Sequence, residues 1–208
     1  MARLDERAVE ISAGDGVVLE GAIHEPAAPR FVAVVLHPHP QYGGDMHNHV
    51  VTAACSALAE RGGTTLRFNF RGTGRSTGSH DGGRGEQDDA LAAVAFVRET
   101  APGAPLILAG YSFGAQVAAA VSERAGTGGL VLVSPPLAYG GIADLPAGVP
   151  VLAIGGARDP VCPSERLRAL EGPDVRTEVV PGVDHGWFGG IEALSAAISS
   201  FAFRSGRD

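Results

Sequence analysis

The sequence predicts an α/β fold in which a mostly parallel central sheet carries helices on both faces. Three observations support this prediction. Short apolar runs alternate along the chain with stretches of helical hydrophobic periodicity. Runs such as residues 32–36, 106–109 and 130–133 are apolar on both faces, which is typical of buried strands in a mostly parallel sheet. The length of 208 residues fits one α/β domain, which we expect to span residues 1–208.

The individual elements follow from these patterns in chain order. Apolar runs predict strands at residues 17–23, 32–36, 64–70, 106–109, 130–133, 151–155 and 176–180. Helical periodicity predicts helices at residues 47–61, 87–100, 113–124, 164–170 and 190–203. We expect the opening pair of strands, which precedes the alternation, to form an antiparallel hairpin at one edge of the sheet. Residues 72–85 are rich in Gly and Ser and predict a flexible loop.

Composition and charge exclude several classes of function. The formal net charge is −7 and the basic residues form no run, which argues against a nucleic-acid partner. No segment has the length of a transmembrane helix, and charged residues interrupt any signal-peptide core near the amino terminus. Cys55 and Cys162 have no ligand-like spacing. We therefore expect a cytoplasmic protein with no membrane partner, and the oligomeric state stays open.

One motif carries the strongest chemical signal. The sequence Gly-Tyr-Ser-Phe-Gly at residues 110–114 joins an apolar strand to a helix-forming stretch. In such a nucleophile elbow the serine lies on a sharp, strained turn, and its neighbours must be small. Gly110 and Gly114 meet that need. The turn aims the Ser112 hydroxyl above the sheet edge, where the next helix begins.

A serine nucleophile needs a base, and the base needs an orienting acid. In this type of fold the three follow in the order Ser, acid, His. Asp159 follows the strand at residues 151–155, and His185 follows the last strand. Asp184 and Asp144 are alternative acids. Asp159 is preferred, because adjacent residues rarely direct a carboxylate at the neighbouring ring and Asp144 precedes its strand.

The oxyanion hole is expected to combine two backbone N–H groups. The first belongs to Phe113, directly after the nucleophile. The second comes from the loop after the strand at residues 32–36. Prolines at positions 38 and 40 have no N–H, so His39 is the first candidate donor and Gln41 the second.

Two other chemistries fit the sequence less well. Four histidines at positions 37, 39, 47 and 49 invite a zinc interpretation. His47 and His49 lie two apart near a helix start and point in different directions, and no nearby cysteine completes a ligand set. Gly72-Thr73-Gly74 lacks the third glycine and the following helix of a dinucleotide fingerprint. We expect neither a metal nor a cofactor.

Four groups of residues together characterise the chain. They are His37-Pro38 followed by Gly43-Gly44 and Met46-His47-Asn48; Arg67-Phe68-Asn69-Phe70-Arg71-Gly72; Gly85-Glu86-Gln87-Asp88-Asp89; and the elbow at residues 110–114. With them the chain resembles the α/β-hydrolases, and more closely the small cap-less bacterial serine esterases of the dienelactone-hydrolase-like superfamily. The resemblance implies a triad at Ser112, Asp159 and His185. Only residues 134–149 separate two predicted strands where relatives insert a lid, so we expect an open site without a cap domain.

These features predict a serine hydrolase that cleaves carboxylic ester or thioester bonds of small substrates through an acyl-enzyme. Fold alone does not decide the reaction. The alternatives are an acyltransferase, a lyase or a carbon–carbon bond hydrolase that uses the same triad, and a catalytically silent binding protein.

Overall fold

The computed structural model describes residues 4–14 and 16–202. Within them the chain forms eight strands and five α-helices. The strands are β1 (Arg7–Ser12), β2 (Val18–His24), β3 (Phe31–Leu36), β4 (Gly63–Phe68), β5 (Leu106–Tyr111), β6 (Gly129–Val133), β7 (Val151–Gly156) and β8 (Val175–Val180). The helices are α1 (His49–Glu60), α2 (Arg84–Thr100), α3 (Phe113–Val121), α4 (Ser164–Arg168) and α5 (Ile191–Ser200). The last residue of the predicted fifth helix, Phe203, lies outside the described residues.

The strands form one sheet in the order β1-β2-β4-β3-β5-β6-β7-β8. The six strands from β4 to β8 in this order pair in parallel, whereas β1 and β2 are antiparallel to their neighbours. This arrangement confirms the predicted α/β class with a mostly parallel sheet. β5 lies at the centre, between β3 and β6.

The predicted pairing of the first two apolar runs is wrong. β2 pairs with β1 on one side and with β4 on the other, while β3 is a central parallel strand. The antiparallel hairpin at the edge consists of β1 and β2, and β1 was not among the predicted strands. In β1 only Val9 and Ile11 are buried, and the other four residues are exposed. An edge strand with one solvated face lacks the continuous apolar run of its buried neighbours.

The core consists of two layers, one on each face of the sheet. Along β3, Val32, Val34 and Leu36 belong to one layer, and the residues that alternate with them belong to the other. Helices α2, α3 and α4 cover the first face, and α1 and α5 cover the second. Since side chains alternate between faces along a strand, a strand buried on both sides is mostly apolar, as in β3, β5, β6 and β7. Of the helices in the described chain, none has the length and hydropathy needed to cross a bilayer.

Of the residues predicted as a loop, 72–83 are irregular, whereas Arg84 and Gly85 already belong to α2, and the loop is anchored rather than free. The hydroxyl of Ser76 accepts a hydrogen bond from the Glu20 N–H, and that of Thr77 accepts one from the Val18 N–H, each across 2.9 Å. At the base of the loop, Arg71 and Asp89 form a buried ion pair with an N–O distance of 2.7 Å. These contacts tie the loop to β2 and α2.

Candidate active site

Ser112 lies at the tight turn between β5 and α3. Its backbone angles are φ 54° and ψ −116°, a conformation that is costly for any residue with a side chain. The glycines of the motif permit it. A Cβ atom at Gly110 would lie 2.2 Å from the carbonyl oxygen of Gly114, and a Cβ atom at Gly114 would lie 2.3 Å from that of Leu36. The motif thus lets β5, α3 and the end of β3 approach one another closely.

The structure brings the three predicted triad residues together. The Nε2 atom of His185 lies 3.1 Å from the Ser112 Oγ atom. On the other side of the ring, His185 Nδ1 lies 2.9 Å and 3.0 Å from the two carboxylate oxygens of Asp159. Both contacts are within hydrogen-bond reach, so a proton can pass from the hydroxyl to an imidazole whose other nitrogen faces a carboxylate.

Asp159 is held as an anion by its surroundings. Burial alone would raise the pKa of this carboxyl, but hydrogen bonds from His185 and Ser134 outweigh it and the pKa lies below the ordinary value. The backbone N–H groups of Val161 and Cys162 also donate to Asp159 Oδ1, across 2.8 Å and 3.0 Å. A carboxylate with several donors stays ionised even when buried.

The two alternative acids occupy other positions. Asp184 directs its Oδ1 atom to the N–H of Gly186, two residues along, at 3.0 Å. It therefore caps the turn that contains His185 instead of facing the ring. Asp144 is exposed in the connection between β6 and β7.

The residues that carry the two predicted oxyanion donors belong to the groove that contains Ser112. The N–H groups of Phe113 and His39 have no hydrogen-bond acceptor among the described residues, and both residues line the same groove as Ser112. The Gln41 N–H, the second candidate, donates to His39 Nδ1 across 3.2 Å instead. Two free backbone donors next to a serine can stabilise a negatively charged oxygen.

His37 fixes the peptide group that carries the His39 N–H. Its Nδ1 donates to the Pro38 carbonyl oxygen across 2.6 Å, and its Nε2 accepts from the Phe70 N–H across 3.0 Å. Burial lowers the pKa of His37 to about 4, so the ring is neutral near pH 7. In a trans peptide the C=O and N–H bonds point in opposite directions. The His39 N–H therefore points away from the His37 ring.

Above Ser112 lies a groove of about 600 Å³. Aromatic rings, glycines, prolines and the side-chain amides of Asn48 and Gln116 contribute to its surface. Among the described residues that line it, none is an Asp, Glu or Arg. Its titratable side chains are the two histidines, 39 and 185, and three tyrosines.

Comparison with known proteins decides the family. A family model described as serine aminopeptidase, S33, matches residues 28–147. The chain belongs to this serine hydrolase family. It is 33% identical to an α/β serine hydrolase homologue from Coxiella burnetii, over 96% of this chain and 98% of that one, with a TM-score of 0.85. It is 34% identical to an α/β serine hydrolase without a lid from Xanthomonas campestris, over 93% and 91% of the two chains, again with a TM-score of 0.85. An uncharacterised protein of Rickettsia prowazekii is 33% identical over 190 residues, which are 85% of this chain and 79% of that protein.

These findings confirm the resemblance to cap-less α/β-hydrolases. In this hydrolase the connection between β6 and β7 contains a short 3-10 helix, Leu137–Tyr139, and no further helix or strand. The groove above the serine is consequently open to solvent.

Two residues behind Asp159 received no supporting role from the sequence. The buried indole N–H of Trp187 donates to the Ser134 hydroxyl across 2.9 Å. The Ser134 side chain in turn forms a hydrogen bond with Asp159, which lowers the pKa of this carboxyl. Ser112, Ser134 and Trp187 are the described non-glycine residues with positive φ. All three strained positions thus belong to one site. Ser134 directly follows β6 at this edge of the sheet, but no motif assigns it a role.

Two further side chains hold the loop that carries His185. The Tyr111 hydroxyl donates to the His185 carbonyl oxygen, and His49 Nε2 donates to that of Gly186 across 2.9 Å. Burial raises the pKa of Tyr111, so its hydroxyl keeps the proton that it donates. Both contacts restrain the backbone on either side of the imidazole.

The four histidines of the zinc interpretation have separate partners. His37 contacts the Pro38 carbonyl, His39 the Gln41 N–H and His49 the Gly186 carbonyl. His47 Nδ1 accepts from the guanidinium of Arg67 across 3.2 Å. Within the described chain no group of three or more His, Cys, Asp or Glu side chains is arranged to hold a metal ion.

Proposed function

We propose that this serine hydrolase cleaves carboxylic ester or thioester bonds of small uncharged substrates through an acyl-enzyme. The observation that carries the proposal is the chain of hydrogen bonds from Ser112 through His185 to Asp159, which ends in a groove without charged carboxylate or guanidinium groups.

The geometry supports a two-step reaction. In the first step His185 Nε2 takes the Ser112 proton while Oγ attacks the carbonyl carbon, and the N–H groups of Phe113 and His39 stabilise the resulting oxyanion. The intermediate collapses, the carbon–oxygen or carbon–sulfur bond of the ester breaks, and His185 donates its proton to the leaving group. In the second step water attacks the acyl-enzyme, gives its proton to His185 and releases the acid as Ser112 recovers its proton.

Asp159 stabilises the imidazolium that forms in each step. Because its pKa is lowered by hydrogen bonds to its charged form, it stays an anion throughout and does not take the proton itself. Its role is to fix the ring orientation and the protonation of Nδ1.

The description of the family names aminopeptidases, but the groove favours esters. An aminopeptidase must bind the positively charged amino terminus of a peptide, and a carboxylate is the usual partner for such a group. The described lining of this groove offers aromatic, amide and backbone groups instead. Burying an ammonium group among them without a counter-charge would be unfavourable.

Labelling with a fluorophosphonate probe tests the proposal, because only an activated serine reacts at a useful rate. We expect stoichiometric labelling of the wild-type protein together with hydrolysis of p-nitrophenyl acetate and of the corresponding thioester. Ser112→Ala should abolish labelling and lower turnover roughly a thousandfold or more. Ser164→Ala serves as a matched control, since this serine begins α4 and does not line the groove. Turnover by Ser112→Ala at the wild-type rate would refute the proposal, and preferential cleavage of aminoacyl-p-nitroanilides would favour peptidase activity.

A further inference from the structure

Two tyrosines at the groove have most of their surface exposed to water. The exposed fraction is 88% for Tyr42 and 78% for Tyr139, although both residues line the groove above Ser112. We propose that Tyr42 and Tyr139 form two walls of the substrate site and select uncharged esters with apolar or aromatic groups on both sides of the scissile bond. This inference rests on the proposed ester hydrolysis.

The sheet topology places the tyrosines on opposite sides of the serine. Tyr42 ends a 3-10 helix, Pro40–Tyr42, in the loop after β3, and Tyr139 ends the 3-10 helix after β6. β5, which delivers Ser112, lies between β3 and β6 in the sheet. A substrate whose carbonyl carbon is at Ser112 Oγ therefore has one wall on each side.

The turns that carry the tyrosines are fixed from below. The ring of Tyr42 packs edge-on against His39, with ring centroids 4.9 Å apart. In the other turn, the Ala138 N–H donates to the Val161 carbonyl oxygen across 3.0 Å, and Arg166 donates to the Leu137 carbonyl oxygen. Preorganised walls lose little conformational entropy when a ligand binds.

The chemistry of the walls defines the substrate class. A tyrosine ring presents a large apolar face and a polar tip, and covering that face with an apolar group is favourable. The groove surface between the walls offers amides and backbone groups but no charged carboxylate or guanidinium among its described residues. An ester with a ring or alkyl group in both its acyl and its alcohol part covers both tyrosines, whereas methyl acetate reaches neither.

Four esters test the inference: methyl acetate, methyl benzoate, phenyl acetate and phenyl benzoate. For each ester, kcat/KM of Tyr42→Ala and Tyr139→Ala is divided by that of the wild type, which removes the intrinsic reactivity of the ester. We expect each variant to lose roughly threefold to tenfold on phenyl benzoate, the range of one aromatic contact. Of the two esters with a single ring, methyl benzoate and phenyl acetate, each variant should lose kcat/KM on only one. This ester should differ between the two tyrosines. Methyl acetate should change less than about twofold, and Tyr42→Phe and Tyr139→Phe should keep the wild-type ratios because they keep the ring.

Phe188→Ala is the matched control, since Phe188 is 80% exposed but does not line the groove. It should leave the ratios among the four esters unchanged. Equal losses on all four esters, or no loss on any, would overturn the inference. If a fluorophosphonate labels the wild type at Ser112 but the tyrosine variants keep the wild-type kcat/KM on all four esters, the proposed walls are refuted while ester hydrolysis stands. If it is not labelled, the proposed function itself fails.

Discussion

The indole N–H of Trp187 and the hydroxyl of Ser134 are joined by a hydrogen bond of 2.9 Å, and both residues have left-handed backbones, with φ 59° and 44°. Both side chains are buried. Such backbones are unfavourable for residues other than glycine, so the surrounding structure must hold them in place. Because Ser134 acts on Asp159, the pair connects the loop after β8 to the acid that follows β7.

Removing either partner of this pair should impair catalysis without affecting substrate binding. We expect Ser134→Ala and Trp187→Phe each to lower kcat about tenfold with KM nearly unchanged, since a buried polar group loses its partner and Asp159 loses its fixed position. The double variant should lose little more than the worse single variant, because the two residues act as a unit. Trp187 is the single tryptophan of the chain, so its fluorescence in Ser134→Ala reports the broken bond directly. Fully multiplicative losses in the double variant would contradict this coupling.

The same substitution at the two candidate acids, Asp159 and Asp184, identifies which of them acts on His185. Asp159→Asn should lower kcat by about three to four orders of magnitude, since the amide no longer stabilises an imidazolium or selects the right tautomer of His185. Asp184→Asn keeps the acceptor oxygen that caps Gly186 and should cost less than about threefold, because neutral acceptors serve in turns as well. Steady-state kinetics on p-nitrophenyl acetate distinguish the two. A larger loss for Asp184→Asn would exchange their roles.

The class of fold, and the three residues that the structure brings together at Ser112, could be predicted from the sequence because both depend on local signals. The continuous apolar runs of β3, β5, β6 and β7 follow from burial on both faces, and the glycines around Ser112 follow from close backbone approach. The edge strand β1 was not predicted, because the residues on its solvated face are not apolar and the strand therefore has no continuous apolar run. Its absence led to the wrong partner for β2.

The supporting contacts could not be predicted, because each joins residues distant in sequence. Ser134 and Trp187 lie 53 positions apart, and Tyr111 and His185 lie 74 apart. Neither pair has a spacing rule, and the bonded groups meet only when β5, β6 and the loop after β8 are assembled. The exposure of Tyr42 and Tyr139 could not be predicted from the sequence either, since it is a property of the folded surface.

Gly44 tests the position of the second oxyanion donor. A Cβ atom there would lie 2.1 Å from the Pro38 carbonyl oxygen, so Gly44→Ala must displace the peptide group that carries the His39 N–H. We expect kcat to fall about a hundredfold, as when one oxyanion donor is lost, with the midpoint of thermal unfolding measured in parallel. Gly43→Ala is the matched control: its φ of 79° makes the substitution strained, but nothing lies within 4 Å of the added atom. It should destabilise the fold and spare kcat. If instead the control lost as much kcat as Gly44→Ala, the donor would have to be sought elsewhere.

His37 should make the stability of the protein depend on pH. Its pKa is about 4 in the folded protein, where burial disfavours the charged ring, against about 6.5 in an unfolded chain. The unfolded state therefore binds more protons between these values, and the free energy of unfolding falls as the pH is lowered through this window. From pH 7 to pH 5 this residue should account for a loss of about 2 kcal/mol. His37→Asn keeps a donor for the Pro38 carbonyl but does not titrate, so it should be less stable than the wild type at pH 7 and lose less on acidification. Urea unfolding at pH 7 and pH 5 measures the free energy of unfolding of wild type and variant. If this free energy falls equally in both, the pKa of His37 is not lowered in the folded protein.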